Sequence, residues 1–522
     1  MALKHYTASA DTTIVNAYKS NLKTRATGSN MGNADVVEVF SVYARQSTSS
    51  QELSRVLMKF PIDDISTDRT AGTVPASGSV SFYLRMFNAQ HSKTVPEDYK
   101  LVVALVSRSW EEGAGLDLET YKDETKGNTG ANWLSASKGV LWTNVGGDYL
   151  TGAAATEGER AYSQSFTTGL EDLEIDITPS VEQWIAGDYN NYGVGVYLSQ
   201  SYEAYFSSST GENSGSVVHN VSGATKSYYT KRFFARGSQY FFRRPVIEAR
   251  WDSTVKDDRG DFYYSSSLAP AADNLNKIYL YNYIRGRLAN IPDLATAGEI
   301  YVSLFSGSAD NSAPSGSKLV LYDGNTNITG GYVSTGIYSA SIGITAAATP
   351  ITSLFDIWHS GTNSGARLTA GGTVYATGSI TPIVVKAAQT VSKPTYYINI
   401  TNLRDKYRNN ETARFNLYVR NKNWSPTIYT VANSTPESTT IVSASYRAFR
   451  IIDSYEAVPY GTGSDFHTQL SYDVSGNYFD FDMNLLEPGY MYAFKFAFYD
   501  AALSSWSEQP YVFKFRVEDY EY

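Results

Sequence analysis

Leu486-Glu487-Pro488-Gly489-Tyr490-Met491-Tyr492 runs directly into Ala493-Phe494-Lys495-Phe496-Ala497-Phe498, and this stretch decides the fold class. Pro-Gly is turn chemistry, because proline presets φ and glycine accepts a positive one. After the turn the side chains alternate. Tyr492, Phe494, Phe496 and Phe498 fall on one face of an extended strand, and Ala493, Lys495 and Ala497 fall on the other. The same period of two returns in Val80, Phe82, Leu84 and Met86, and again in Phe415, Leu417 and Val419. Asp323-Gly324-Asn325, Gly330-Gly331 and Ser475-Gly476-Asn477 supply turns between such runs. Composition agrees, with 42 Tyr, 23 Phe and 40 Gly against 6 Met, since aromatic side chains suit a pleated surface. The expectation is an all-β chain.

With 42% hydrophobic and 18% charged residues the chain has enough apolar material to fold. Its 522 residues exceed one core, and roughly 100 to 200 residues per domain predicts three consecutive β-sandwiches. The polar stretches 265–273, containing Pro270, and 387–394 read as linkers. They divide the chain into 1–264, 274–390 and 394–522. The middle part is rich in Gly, Ser, Thr and Ala, and 330–349 carries no charge. A short accessory helix is expected in the first domain, with Thr178 as N-cap, Pro179 at the first helical position, Val181, Trp184 and Ile185 on one face, and Gly187 as terminator. No repeat at a fixed period is visible.

A net charge of −9 disfavours generic binding to nucleic acid or anionic lipid, both of which need positive surface. The absence of cysteine removes disulfides, thiol nucleophiles and Cys-ligated metals. The N-terminus turns polar at once, and the longest aliphatic run, 101–106, is far short of the roughly 20 residues that span a bilayer. Neither a secretion signal nor a membrane span is expected.

The first 250 residues carry an ordered series of landmarks: Ala10-Asp11-Thr12, Arg55-Val56-Leu57-Met58-Lys59-Phe60, Trp110-Glu111-Glu112-Gly113, Trp133, Trp142, Gly146-Gly147-Asp148-Tyr149, Ile175-Asp176-Ile177-Thr178 with Trp184, Asn191-Tyr192-Gly193 and Arg244-Pro245. This order resembles the DNRLRE-type β-sandwich module over about residues 6 to 252. The resemblance implies a carbohydrate-binding-like sandwich of the kind found in bacterial surface proteins and tailed-phage virion proteins. Trp110, Trp133, Trp142 and Trp184 read most simply as core fillers, each burying on the order of 150 to 250 Å². The sharper reading is that an exposed ring among them stacks on a sugar face. Glu111 and Glu112, with Asp117 and Glu119, contain the material of a glycosidase pair, but adjacent residues on a strand point to opposite faces.

The five histidines, His5, His91, His219, His359 and His467, lack metal-ligand spacing. Asp257-Asp258-Arg259-Gly260-Asp261 is dense in carboxylates that attract Ca²⁺, without the EF-hand pattern, and reads as a solvated loop. The basic pairs Lys231-Arg232 and Arg243-Arg244, the second following Tyr240-Phe241-Phe242, are read as structural rather than as a nucleic-acid surface. No phosphate loop, metal cluster or nucleophile with a neighbouring base is present in sequence. Hence no enzyme and no cofactor are expected.

The stretch 486–498 also resembles the tyrosine corner of fibronectin type III and related immunoglobulin-like sandwiches, which implies that Tyr492 hydrogen-bonds back to the chain. Tyr279, Tyr281 and Tyr283 share one strand face opposite Ile278, Leu280 and Ile284 and form a candidate interface, because tyrosine is favoured at interfaces; the competing reading is a second packed layer within the same chain. As a whole the chain is similar to cyanophage-like tailed-phage virion structural proteins. That resemblance implies a non-enzymatic component (capsid decoration, neck or collar, or tail-associated) that folds in host cytoplasm and docks on other virion proteins and on its own copies. The alternative is a carbohydrate-binding adhesin or fibre contacting the host envelope, with a surface glycan as partner. Neither nucleic acid nor membrane is an expected partner.

Overall fold

The computed structural model describes residues 2–42, 51–91, 95–116, 121, 130–150, 153–154, 158–207, 214–264, 270, 274–294, 300–307, 314, 316–321, 328–344, 351–360, 373–383, 395–425, 437–463, 465–501 and 503–520. The chain is nearly all β and forms several separate sheets, whose described strands pair antiparallel but for one short parallel pair. It divides into two compact units, Ala2–Asp252 with Asp465–His467, and Ser253–Ser464 with Thr468–Tyr522. The linker 387–394, the linker 265–273 apart from Pro270, Asp117, Glu119 and the turn at Asp323 lie outside the described residues.

In the first unit, Leu3–Thr7, Val246–Arg250, Ser81–Met86 and Leu173–Asp176 form a four-stranded sheet in that order. Ala161–Phe166, Tyr99–Val106, Val194–Leu198, Glu52–Lys59, Val36–Val42 and Tyr228–Phe234 line up in the larger sheet, with Ala10–Val15 paired to Glu52–Lys59. The alternation at Phe82, Leu84 and Met86 is legible here: Leu84 sits between Ile175 and Ile247 in register, and all three face Val56, Val103 and Val196 of the larger sheet in one core. This is a sandwich, because each sheet buries an apolar face against the other.

The expected helix spans Thr178–Ala186, with Gly187 terminating it at φ 82°, a left-handed conformation that glycine adopts without strain. Its N-cap is Ile177 rather than Thr178. The Thr178 hydroxyl accepts from the Phe82 amide at 2.8 Å and donates to Asp176, so it ties the helix to the sheet. A second helix, Ile62–Thr70, was not expected from the sequence. Pro61 ends the preceding strand, Asp63 and Asp64 suit the positive end of the helix dipole and Arg69 the negative end, and Ile62 and Ile65, three apart, enter the core.

In the second unit, Asn276–Tyr281, Ile337–Ile342, Ile328–Ser334, Ile300–Phe305, Leu354–Ser360 and Val374–Ile380 form one six-stranded sheet around a shared core of Ile278, Val302, Tyr338, Leu354 and Trp358. Beyond it, Tyr396–Ile400, Thr412–Asn421, Gly476–Asp482 and Ser471–Asp473 make one sheet of a sandwich. Lys406–Arg408, Phe513–Glu518, Met491–Asp500, Ala444–Arg450 and Glu456–Val458 make the other. This is the strand pairing of a fibronectin- or immunoglobulin-type sandwich. Phe415 and Phe479 from one sheet meet Phe494, Phe515 and Tyr446 from the other, with ring centroids 4.3 to 5.1 Å apart for Tyr446–Phe479, Phe494–Phe515, Phe415–Phe494 and Phe415–Phe479.

The Tyr492 hydroxyl donates to the Glu487 carbonyl at 2.8 Å, closing the tyrosine corner, while its ring is fully buried. Tyr492→Phe removes only that bond. It should therefore cost about 0.5 to 1.5 kcal/mol, read as a shift of the denaturation midpoint of the second unit. An unchanged midpoint would show that the corner contributes nothing to stability.

Candidate functional site

The outer face of the larger sheet of the first unit carries a second apolar cluster of Ile14, Leu53, Leu57, Val106, Trp133 and Trp142, covered by the chain that follows Val106. Local polar bonds hold this cover in place. Asp148 accepts from the Thr143 and Asn144 amides, and Asn132 accepts from those of Leu134 and Ser135. Gly146 has φ 85° and lies against the Trp133 ring, where a Cβ would come within 2.9 Å of it. Arg108 binds Leu141 O, Thr143 Oγ1 and Asp148, pinning the small hairpin Ser135–Ser137 with Val140–Leu141.

Three of the four tryptophans are interior: Trp133 is 0% exposed, Trp142 5% and Trp184 6%. Trp110 differs, being part-exposed in an open groove of about 420 Å³ with Arg108, Glu111, Ser137, Val140 and Tyr192. Its indole N–H donates to Tyr192 O at 2.8 Å, which fixes the ring edge. Glu111 is exposed beside this groove. Glu112 points elsewhere and forms a two-pronged ion pair with Arg236 at 2.5 Å while accepting the Asp11 amide at 2.8 Å. Burial pushes the Asp11 carboxyl up to about 7, aided by the Glu112 charge, despite the Arg236 amide that donates to it. These two neighbouring glutamates therefore serve different surroundings.

Below the cover Arg55 and Glu203 form a buried ion pair at 3.0 Å, with the guanidinium over Tyr197 at 4.9 Å, Tyr149 at 5.6 Å and Trp133 at 5.7 Å. Lys231 is buried as well. Its ammonium donates to Asn88 Oδ1, Gly169 O and Glu171 O at 2.7 to 2.9 Å, and desolvation brings it down to about 8. Arg232 pairs with Glu38, and Arg244 donates to Ser238 O.

In the second unit the structure assembles a pair that sequence reasoning missed. Ser303 Oγ lies 2.9 Å from His359 Nε2, on adjacent strands 56 residues apart in sequence. A serine beside an imidazole is nucleophile chemistry, yet Ser303 is 0% and His359 3% exposed, so no substrate reaches it in this conformation. Only the antiparallel register of the two strands brings them together, and no local motif signals it.

Within 257–261, Arg259 is bound to Asp356 by two bonds of 2.7 and 2.8 Å, Asp258 accepts from Tyr472 Oη and the Lys277 amide, and burial lifts Asp257 to about 6. Among the described residues no group of three or more His, Asp or Glu could hold a metal ion. The tyrosine stripe divides: Tyr279 is 4% exposed and stacks on half-buried Tyr281 with centroids 6.3 Å apart, whereas Tyr283 is 59% exposed. The stripe expected to await a partner is thus largely covered within its own unit. Asp257 from the preceding segment and Asp473 and Tyr478 from the C-terminal sandwich lie close enough to Tyr281 to hold its hydroxyl above its ordinary value, with burial the main cause.

No protein-family model and no curated protein matches the sequence. Among solved structures the chain is similar, at 10% identity and a TM-score of 0.14, to the fibronectin(III)-like modules of Clostridium thermocellum CbhA, over 51% of this chain and 93% of that one. A DUF4785 family protein from Legionella pneumophila is similar at 8% identity and a TM-score of 0.13, over 92% and 90% of the two chains.

Proposed function

We propose that this chain is a non-enzymatic structural component of an assembled particle, of the tailed-phage virion kind, and that it works by docking on other particle proteins and on its own copies. The observation that carries the reading is a short hairpin with exposed apolar side chains. Tyr283–Ile284 and Arg287–Leu288 pair through a two-residue turn in which Arg285 and Gly286 both have positive φ. Tyr283 and Leu288, opposite one another in register, are exposed on one face of the hairpin and Ile284 on the other. Grouped apolar side chains held at the surface favour a protein partner, and tyrosine and arginine are the side chains that anchor such contacts. The order of landmarks in residues 6 to 252 supports the virion assignment. Electron microscopy of particles carrying the labelled chain tests it. The double substitution Tyr283→Ser with Leu288→Ser should abolish incorporation while leaving the melting curve unchanged. Turnover of a glycan or peptide by the purified chain, lost in Glu111→Gln, would overturn the non-enzymatic reading.

The second reading, a carbohydrate-binding adhesin or fibre at the host envelope, is favoured by the Trp110 groove. Its volume falls in the range of ligand pockets. A ring held by its edge leaves a face for the C–H surface of a pyranose, with Glu111 and Ser137 beside it as hydrogen-bonding groups. On this reading Trp110→Ala should abolish retention on host-envelope glycans without unfolding the protein. Equal retention of the variant would remove it.

A further inference from the structure

If the chain works by docking on other proteins, the C-terminal sandwich offers both a surface and a partner chemistry, an assignment that rests on that reading. Tyr396–Ile400 is the outermost strand of its sheet, paired on one side with Thr412–Asn421. Tyr397 and Arg420 face each other in that register on the outer side of the sheet, while Ile398, Ile400, Leu417 and Val419 fill the core side. The Arg420 guanidinium lies over the Tyr397 ring at 5.2 Å and over Trp424 at 5.4 Å. The Lys422 ammonium lies over Tyr397 at 5.3 Å and Tyr511 at 5.7 Å.

Most other guanidiniums on this module have carboxylates: Arg404 has Glu411, Arg414 has Asp480, Arg447 has Glu456 and Arg450 has Asp453, whereas Arg408 lies over the Tyr520 ring at 5.5 Å. Arg420 and Lys422 have none among the described residues, and Arg420 Nε is buried without a hydrogen-bond partner. The adjoining sequence 425–436 contains no Asp or Glu. In a chain with 52 acidic and 43 basic residues, carboxylates are not scarce. These two cations are instead held on aromatic faces, where stacking restrains the side chain; the Nε of Arg420 is buried, and its Nη donors have no carboxylate among the described residues. They stand two residues apart, about 6.6 Å along an extended chain, which is also the spacing of alternate side chains on an added strand. Among the described residues, the outer edge of Tyr396–Ile400 supplies main-chain groups with no ladder partner. One of them, Tyr396 O, already accepts the Tyr511 hydroxyl at 3.0 Å.

We propose that this edge receives an extended acidic segment of a partner protein by strand addition, its main chain pairing with Tyr396–Ile400 and its alternating carboxylates reaching Arg420 and Lys422. The test is calorimetric titration of the full chain with a heptapeptide of alternating threonine and glutamate. Saturable binding that weakens with salt is expected, together with at least about a tenfold loss in the folded double variant Arg420→Gln, Lys422→Gln. The lysine counterpart of the peptide should not bind, and a central proline should abolish binding by removing a ladder donor. No binding, binding indifferent to the double variant, or equal binding of a heparin fragment would overturn the proposal. A chain that still joins particles but ignores the peptide overturns only strand addition. A chain that binds the peptide yet joins no particle overturns only the docking reading.

Discussion

Glu248→Gln should lower the melting temperature of the first unit by about 6 to 12 °C. Glu248 is nearly fully buried on the outer face of the four-stranded sheet. It accepts from His5 at 2.6 Å, Arg85 at 3.0 Å and Arg250 at 2.5 Å. The His5 hydrogen bond and the Arg85 and Arg250 charges hold its carboxyl well below the usual carboxylate range against the opposing effect of burial. The substitution keeps the shape and deletes the charge, so two guanidiniums lose their buried counter-ion. Removing one partner of a buried pair costs about 3 to 5 kcal/mol. The lower end applies, because Arg250 and Arg85 keep Glu174 at 2.7 and 3.4 Å. At about 2 to 4 °C per kcal/mol for a unit of this size, about 3 kcal/mol gives that shift. The sign with pH is fixed as well. A carboxyl depressed on folding stabilises above its unfolded value, near 4.5, and that stabilisation is lost as pH falls through the folded value. The gap between wild type and variant should therefore be full at pH 7 and narrow below about pH 4.5. A gap independent of pH would mean that packing, not charge, accounts for the loss.

Trp133→Ala should cost about 3 to 5 kcal/mol, the range for emptying a buried tryptophan site. The ring is fully enclosed between the outer face of the larger sheet and its cover. Its N–H donates to Ser216 O at 2.8 Å, Arg55 lies against it, and Gly146 is shaped to its edge. Neighbours held by their own bonds cannot collapse into the space, so cavity cost adds to lost transfer energy. Trp110→Ala removes a part-exposed ring and should cost clearly less. Denaturant titration of both variants ranks them, and a larger loss for Trp110 would reverse the assignment of which ring is structural.

What the sequence determined by itself is what depends on near neighbours. The alternation at Tyr492, Phe494, Phe496 and Phe498 places four rings inward because successive side chains on a strand take opposite faces, and all four are buried. Pro488-Gly489 before Tyr492 specifies a turn, and Gly187 ends its helix, for equally local reasons. The helix Ile62–Thr70 was legible only in two isoleucines three apart, a signal too short to stand against the surrounding strands. Tertiary structure alone decided which of four similar tryptophans lines a groove, because that depends on what covers each one. It decided that Tyr279 is interior while Tyr283 is exposed, though period two gives both the same face. It also brought His5 to Glu248 across 243 residues and Ser303 to His359 across 56, and among the described residues it left Arg420 without a carboxylate while Arg414 has Asp480. Periodicity reports which way a side chain points relative to its own backbone; burial, charge pairing and exposure depend on a second element, and the position of that element is set by the packing of the whole sandwich.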